Sequence, residues 1–207
     1  MKRPLFAVIA ALLCVGIGSA CADEGMWTLD HLPVKQMQDR YGFTPSEQWI
    51  DLVQHAAVRL AEGCSGSFVS ADGLVMTNHH CANSCLSQLS KNANYMADGY
   101  AAKGEDEPRC PEVELNQLDK ITDVTDRVNA ATKGKDGAGR TKAERAINSA
   151  IEQECVGGDA GKWRCDVVTL YHGGRYALYR YRRYQDVRLV FAPEQGIAFF
   201  GGDPDNF

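Results

Sequence analysis

No stretch of these 207 residues is apolar for long enough to cross a bilayer. The longest such run, residues 5–17, falls short of the roughly 20 residues a spanning helix needs. Basic residues are in the minority, 22 Lys and Arg against 27 Asp and Glu, giving a net charge of −5. That balance argues against partners built on a phosphate backbone. There is no internal repeat and no low-complexity tract, which sets aside solenoids and biased linkers. No pair of Cys/His pairs has zinc-site spacing.

Cysteine, by contrast, is plentiful. Lys2 and Arg3, the apolar run and the small residues Ala20, Cys21 and Ala22 form the layout of a secretory leader over residues 1–22. Lipoprotein processing at Cys21 is the alternative, although Gly18 stands where a large aliphatic residue would be wanted. Residues 23–207 are then expected in a periplasmic or extracellular, oxidising compartment, as one domain-sized piece. Six of the eight cysteines lie there: Cys64, Cys81, Cys85, Cys110, Cys155 and Cys165. An even count behind a leader reads as disulfides, and six cysteines admit fifteen pairings. The expected set is Cys64–Cys81 across a hairpin, Cys155–Cys165 closing a short loop, and Cys85–Cys110 from the two that remain.

Thr44-Pro45-Ser46-Glu47 reads as a capping box with proline at the first helical position. Trp49, Leu52, Val53, Ala56, Ala57 and Leu60 follow at helical spacing, up to Gly63. Residues 67–70 and 74–77 then form a hairpin about Asp72-Gly73, and the chain around His80 breaks into a short turn. Residues 83–104 read as loop with a helical piece, and 113–124 as a strand. A loop over 133–140 precedes a helix opened by the capping box Thr141-Lys142-Ala143-Glu144 and running to about Glu154. The last third is β-like. Strands over 165–171 and 176–184 flank a glycine turn at 172–175, and a third runs over 186–191 to Pro193. Residues 196–200 form a further apolar strand, and the turn-rich stretch after it reads as a cut, with more protein expected beyond.

The chemistry concentrates in residues 63–81, GCSGSFVSADGLVMTNHHC. A serine hydroxyl is a weak nucleophile at neutral pH and needs a base to take its proton. Histidine, with an ordinary pKa of about 6.5, suits that task. A histidine at a strand end, followed at once by a bridged cysteine, is held in a fixed orientation. His80 adjoins Cys81 and is the candidate base, and His79 packs or hydrogen-bonds beside it. His79, His80, Cys81 and Cys85 could instead ligate a metal, but adjacent histidines rarely face one ion. Gly63-Cys64-Ser65-Gly66-Ser67 does not spell Gly-x-Ser-x-Gly, so Ser65 and Ser67 read as a glycine-rich lead into a strand. In residues 176–188, YALYRYRRYQDVR, Arg180 and Arg182 fall on one strand face and Tyr179 and Tyr181 on the other. That pattern is a solvated sheet face rather than a nucleic-acid surface, and the acidic residues 105–107 are a solvated loop.

The opening MWTLDHLP, then YGFTPSEQWIDLVQHAAVRL, the 63–81 signature, YRYRRYQDVRLVFAPE and FFGGDPDNF together resemble the N-terminal part of bacterial dipeptidyl-peptidases with a chymotrypsin-like catalytic domain. The resemblance covers most of the chain after the leader and is weakest over 91–154. It implies a mainly β fold with helical additions, the N-terminal part of an incomplete chymotrypsin-like double β-barrel. It further implies release of dipeptides from free peptide N-termini by a Ser-His-Asp triad, without cofactor or metal. His80 matches the family's histidine, while the aspartate lies shortly beyond Phe207 and the serine far downstream. Asn206 and Phe207 match an Asn-Trp pair that anchors the substrate's α-amino group, and phenylalanine departs from that pattern. The implied partners are peptides with a free N-terminus, with no nucleic acid and no membrane span, and a homodimer is left open. By themselves the 207 residues are expected to be inactive. Two other readings stand beside this one: a truncated, inactive remnant kept as a peptide-binding module, and an unrelated disulfide-rich periplasmic binding domain.

Overall fold

Ser46 starts the helix that leads into the main sheet. Its hydroxyl accepts the Trp49 N–H at 3.1 Å and caps a helix over Glu47–Ala56. The cap is therefore Ser46 rather than Thr44, and Pro45 lies outside the helix. The computed structural model describes residues 25–91 and 93–198, so the leader over 1–22 and the pair Asn206 and Phe207 lie outside the described residues. The chain divides into two units, residues 1–42 and 43–207. In the first, a 3₁₀ turn at Leu29–His31 leads to helix α1 (Val34–Tyr41), which Gly42 ends in the left-handed region (φ 64°).

In the second unit the helix over Glu47–Ala56 (α2) stops well short of Gly63. With no linker the chain turns extended and Ala57–Leu60 becomes strand β1. Val58 and Leu60 are buried and alternate with half-buried neighbours, a period of two. β1 pairs with β2 (Ser65–Phe68) on one side and with a strand over Leu115–Asp123 on the other. Pairing on both edges overrides the helical preference of Ala-Ala-Val-Arg-Leu.

The main sheet adds β3 (Val75–Thr77) to these. The ladder of β4 (Tyr100–Ala101) belongs elsewhere. Leu115–Asp123 is β5, and β6 (Trp163–Leu170) and β7 (Arg175–Tyr184) complete the sheet in the order β3-β2-β1-β5-β7-β6. All its pairings are antiparallel. The edge strands β3 and β6 do not pair with each other. Over the described residues the expected barrel is thus an open sheet. The expected strand over 186–191 is also revised: Phe191–Ala192 (β8) pairs with β4, and Arg188 makes a single bridge to Arg109. Residues 196–198, read as part of a strand over 196–200, lie instead in a helical turn, Gln195–Ala198.

Helices α3 (Asn83–Leu89) and α4 (Tyr95–Asp98) lie beside that small ladder. Cys85, Leu86, Cys110, Leu189 and Ala192 form their apolar centre. A second cluster, Val58, Leu60 and Leu115, lies against β1, and Val113 packs on both clusters. The third lies under α5 (Thr125–Thr132) and α6 (Gly137–Val156) and holds Val124, Val128, Ile151 and Tyr176. Helix α6 begins a turn before Thr141, whose hydroxyl donates to the Gly137 carbonyl at 3.2 Å instead of capping.

Three of the four arginines of β7, Arg175, Arg180 and Arg183, are matched by carboxylates on or next to β5. Arg180 donates to Asp119 at 2.6 Å and also stacks over Trp163, and Arg59 of β1 reaches Asp166 of β6 at 2.9 Å. Arg183 binds Glu114, which further accepts from Asn116 and Gln185. Burial pushes the Glu114 pKa up, but donation from Arg183, Asn116 and Gln185 outweighs it and leaves the carboxyl below its ordinary 4.5. A depressed folded-state pKa stabilises the fold above the ordinary carboxylate range, and that contribution is lost as pH falls through it. Glu114→Gln is therefore expected to lower stability by about 1.5–3 kcal/mol near neutral pH. In denaturation midpoints measured from neutral pH downward, the gap between wild type and variant should narrow below that range.

Candidate active site

Two tight approaches shape the β2–β3 hairpin. A side chain at Gly66 would put its Cβ 2.9 Å from the Met76 carbonyl, so only glycine lets the strands close there. At the tip, Gly73 takes a positive φ of 89° and the Ser70 hydroxyl accepts the Leu74 N–H. At the open end, the Thr77 hydroxyl donates to the Ser65 carbonyl at 2.7 Å. The chain then turns through a 3₁₀ segment, His79–Ala82, closed by Cys81 N–H to the Asn78 carbonyl and Asn83 N–H to the His80 carbonyl.

The bridge Cys64–Cys81 joins the residue before β2 to this turn, with a Cα–Cα distance of 6.0 Å. Cys85–Cys110 and Cys155–Cys165 are also formed, so all three expected pairings hold. A ring nitrogen of His80 lies within 4.8 Å of both bridged sulfurs. The ring is half-buried and its Nδ1 is shielded from solvent. His79 goes elsewhere: it is 8% exposed, and its Nε2 lies 3.1 Å from the Pro193 carbonyl oxygen. The two histidines thus serve different neighbours. Cys64, His80 and Cys81 are the group with ligand spacing among the described residues. Both of its sulfurs are bonded to each other, which leaves one nitrogen, too few for a coordination sphere.

Ser65 and Ser67 lie within β2, and the Ser67 hydroxyl donates to the Phe68 carbonyl at 3.2 Å. The expected lead into a strand over 67–70 is thus revised: the strand begins at Ser65 and ends at Phe68, with both serines inside it. The His80–Cys81 relation is legible in their adjacency, whereas no residue type signals that His79 meets a carbonyl so far along the chain.

The sequence pattern of Peptidase S46 matches residues 22–207. The chain belongs to the Peptidase S46 family. It is 37% identical over its whole length to the dipeptidyl-peptidase 7 of Porphyromonas endodontalis, covering 26% of that protein. It is 35% identical over 96% of its length to the Asp/Glu-specific dipeptidyl-peptidase of Shewanella putrefaciens, covering 28% of it. The crystal structure of Porphyromonas endodontalis DPP11 in complex with the dipeptide Arg-Asp superposes with a TM-score of 0.73 at 29% identity, over 89% of this chain and 28% of that one. This S46 chain therefore spans little more than a quarter of the length of these relatives.

Within the S46 frame the hairpin bridge is the element that holds His80. Replacing both Cys64 and Cys81 by serine should lower stability by about 2–4 kcal/mol, the usual worth of a native disulfide. Chemical denaturation without reductant measures this, and an unchanged midpoint would show that the bridge does not restrain the hairpin.

Proposed function

We propose that the complete protein is a serine-type dipeptidyl-peptidase that releases dipeptides from the free N-termini of peptides. His80 is its general base, and the aspartate and serine of the triad lie beyond residue 207. The observation that carries this reading is the half-buried imidazole of His80 set against the Cys64–Cys81 bridge at the end of a hairpin. Membership of Peptidase S46 and likeness to dipeptidyl-peptidases support it.

In this mechanism His80 takes the serine proton as the hydroxyl attacks the peptide carbonyl and returns it to the leaving amine. The shielded Nδ1 is the side on which an orienting carboxylate belongs. Asn206 and Phe207 hold the substrate's α-amino group. The amide oxygen of Asn206 accepts from the ammonium, and the Phe207 ring offers it an aromatic face without the indole N–H that tryptophan would add. An anchor at a fixed distance from the serine places the scissile bond after the second residue. Preference at that residue is decided downstream, since the region in hand is almost equally similar to a dipeptidyl-peptidase 7 and to an Asp/Glu-specific enzyme. Later strands close the open edges of the sheet into the barrel. A periplasmic or secreted location is supported by three disulfides and the leader-like residues 1–22.

The test uses the complete protein and a substrate with a free N-terminus. His80→Ala should lower dipeptide release by roughly 10⁶-fold, because triad members act as a unit. Wild-type-like release by that variant would overturn the assignment. Residues 23–207 by themselves should release no dipeptide, and measurable turnover by that piece would show that the triad does not need downstream residues.

A further inference from the structure

We propose that the α5–α6 hairpin carries a basic arm that docks the protein on an anionic lipid surface. The arm is residues 133–145, the loop after α5 and the first half of α6. It is independent of the peptidase reading, because no residue of the arm enters the proton-transfer steps.

The net charge of the chain hides an uneven distribution. Residues 133–145 hold Lys133, Lys135, Arg140, Lys142 and Arg145 against Asp136 and Glu144, a net +3. The rest of the chain carries −8, since the whole carries −5. Pairing separates the arm from its surroundings as well. In the second unit, eight arginines outside the arm meet a carboxylate. A ninth, Arg182, lies over the Tyr184 ring, 5.3 Å from its centroid. Among the described residues the side chains of Arg140 and Arg145 have neither kind of partner. Glu144 stands one turn beyond Arg140 without pairing with it. The two unmatched arginines of the unit thus fall within six residues of each other.

Little in the described residues holds this half-helix down. Residues 133–142 and Arg145 are exposed, and the apolar residues that seat α6, Ile147 and Ile151, lie in its second half. The first turn of α6 contains no acidic residue, and no side chain caps it. Cations there face the positive pole of the helix and work against it. An external anionic partner reverses the sign, because the helix pole and the five cations then attract it together. The stretch KGKDGAGRTKAER has no aromatic and no large apolar residue, so it has no means to stack on bases or to enter hydrocarbon. What remains is attraction to a plane of charged headgroups. Three disulfides accord with an oxidising compartment, where lipid headgroups rather than nucleic acids present such a surface.

The experiment sediments the complete protein with vesicles of phosphatidylcholine, either alone or mixed with phosphatidylglycerol. Wild type is compared with a triple variant, Arg140→Gln, Lys142→Gln and Arg145→Gln, since glutamine keeps the helix propensity of the residues it replaces. A control, Lys91→Gln with Lys103→Gln, removes exposed lysines outside the arm. Wild type should bind the mixed vesicles in dilute salt, ignore phosphatidylcholine alone, and be released at about 0.5 M salt, where screening is complete within a few ångströms. Each basic residue near such a surface is worth about fivefold in affinity, so the triple variant should bind roughly 100-fold more weakly and the control within about threefold of wild type. The unfolding midpoint of the triple variant should match that of wild type. A wild type that ignores the mixed vesicles overturns the proposal, as does undiminished binding by the triple variant or an equal loss in the control. Retention on polyglutamate or duplex DNA in place of vesicles assigns the arm to another polyanion and overturns the lipid surface. A marked fall in the midpoint of the triple variant shows that the arm packs within the complete protein, which overturns its freedom to dock.

Discussion

The Cys64–Cys81 bridge closes the β2–β3 hairpin at its open end, and the position of His80 depends on that closure. β3 is an edge strand of three residues, paired on one side only, the kind of element that frays when unsupported. The turn that presents His80 follows directly from it. Without a covalent tie the imidazole would hang from the weakest strand of the sheet. The bridge spans a sequence separation of 17, and closing a loop of that size in the unfolded chain is worth about 3 kcal/mol. The same bond that removes two thiolates from metal chemistry holds the ring beside its sulfurs.

Around this point the fold supplies two rigid supports. On one side β1 runs between β2 and β5, and its buried Val58 and Leu60 join Leu115 beneath the hairpin. On the other, the Cys85–Cys110 bridge and the β4–β8 ladder organise a smaller body around Leu86 and Leu189. Val113 packs on both clusters, just before β5, so the two supports share a side chain. The paired charges of Glu114, Arg183, Arg59 and Asp166 lie along the strands that carry this frame. They fix register at little net gain in energy where exposed, and more where Glu114 is withdrawn from water.

What could be read from the amino acids alone was local. The histidine–cysteine spacing, the Asp72-Gly73 turn and the strands about the glycines at 173 and 174 are each specified within a short window, whereas the Cys85–Cys110 bridge follows only from the two cysteines left over. β1 was not legible, because Ala56-Ala57-Val58-Arg59-Leu60 continues a helical pattern. Its strand state is decided by β5, whose residues lie far along the chain. The second capping box failed for a similar reason. Thr141 can satisfy its hydroxyl within a helix that already started at Gly137, and the motif does not reveal how far upstream the helix extends. The small ladder of β4 and β8 is too short to leave a pattern. The His79–Pro193 contact is a meeting of a side chain with a backbone carbonyl, which no residue type announces.

The central claim is that His80, fixed by its neighbouring bridge, faces a serine supplied by later residues. A crystal structure of the complete protein with that serine phosphonylated tests this most directly. The account requires the His80 Nε2 within about 3 Å of the serine Oγ or a phosphonate oxygen, with a carboxylate on Nδ1. A different histidine at that oxygen, or His80 turned toward the protein interior away from the adduct, would contradict it.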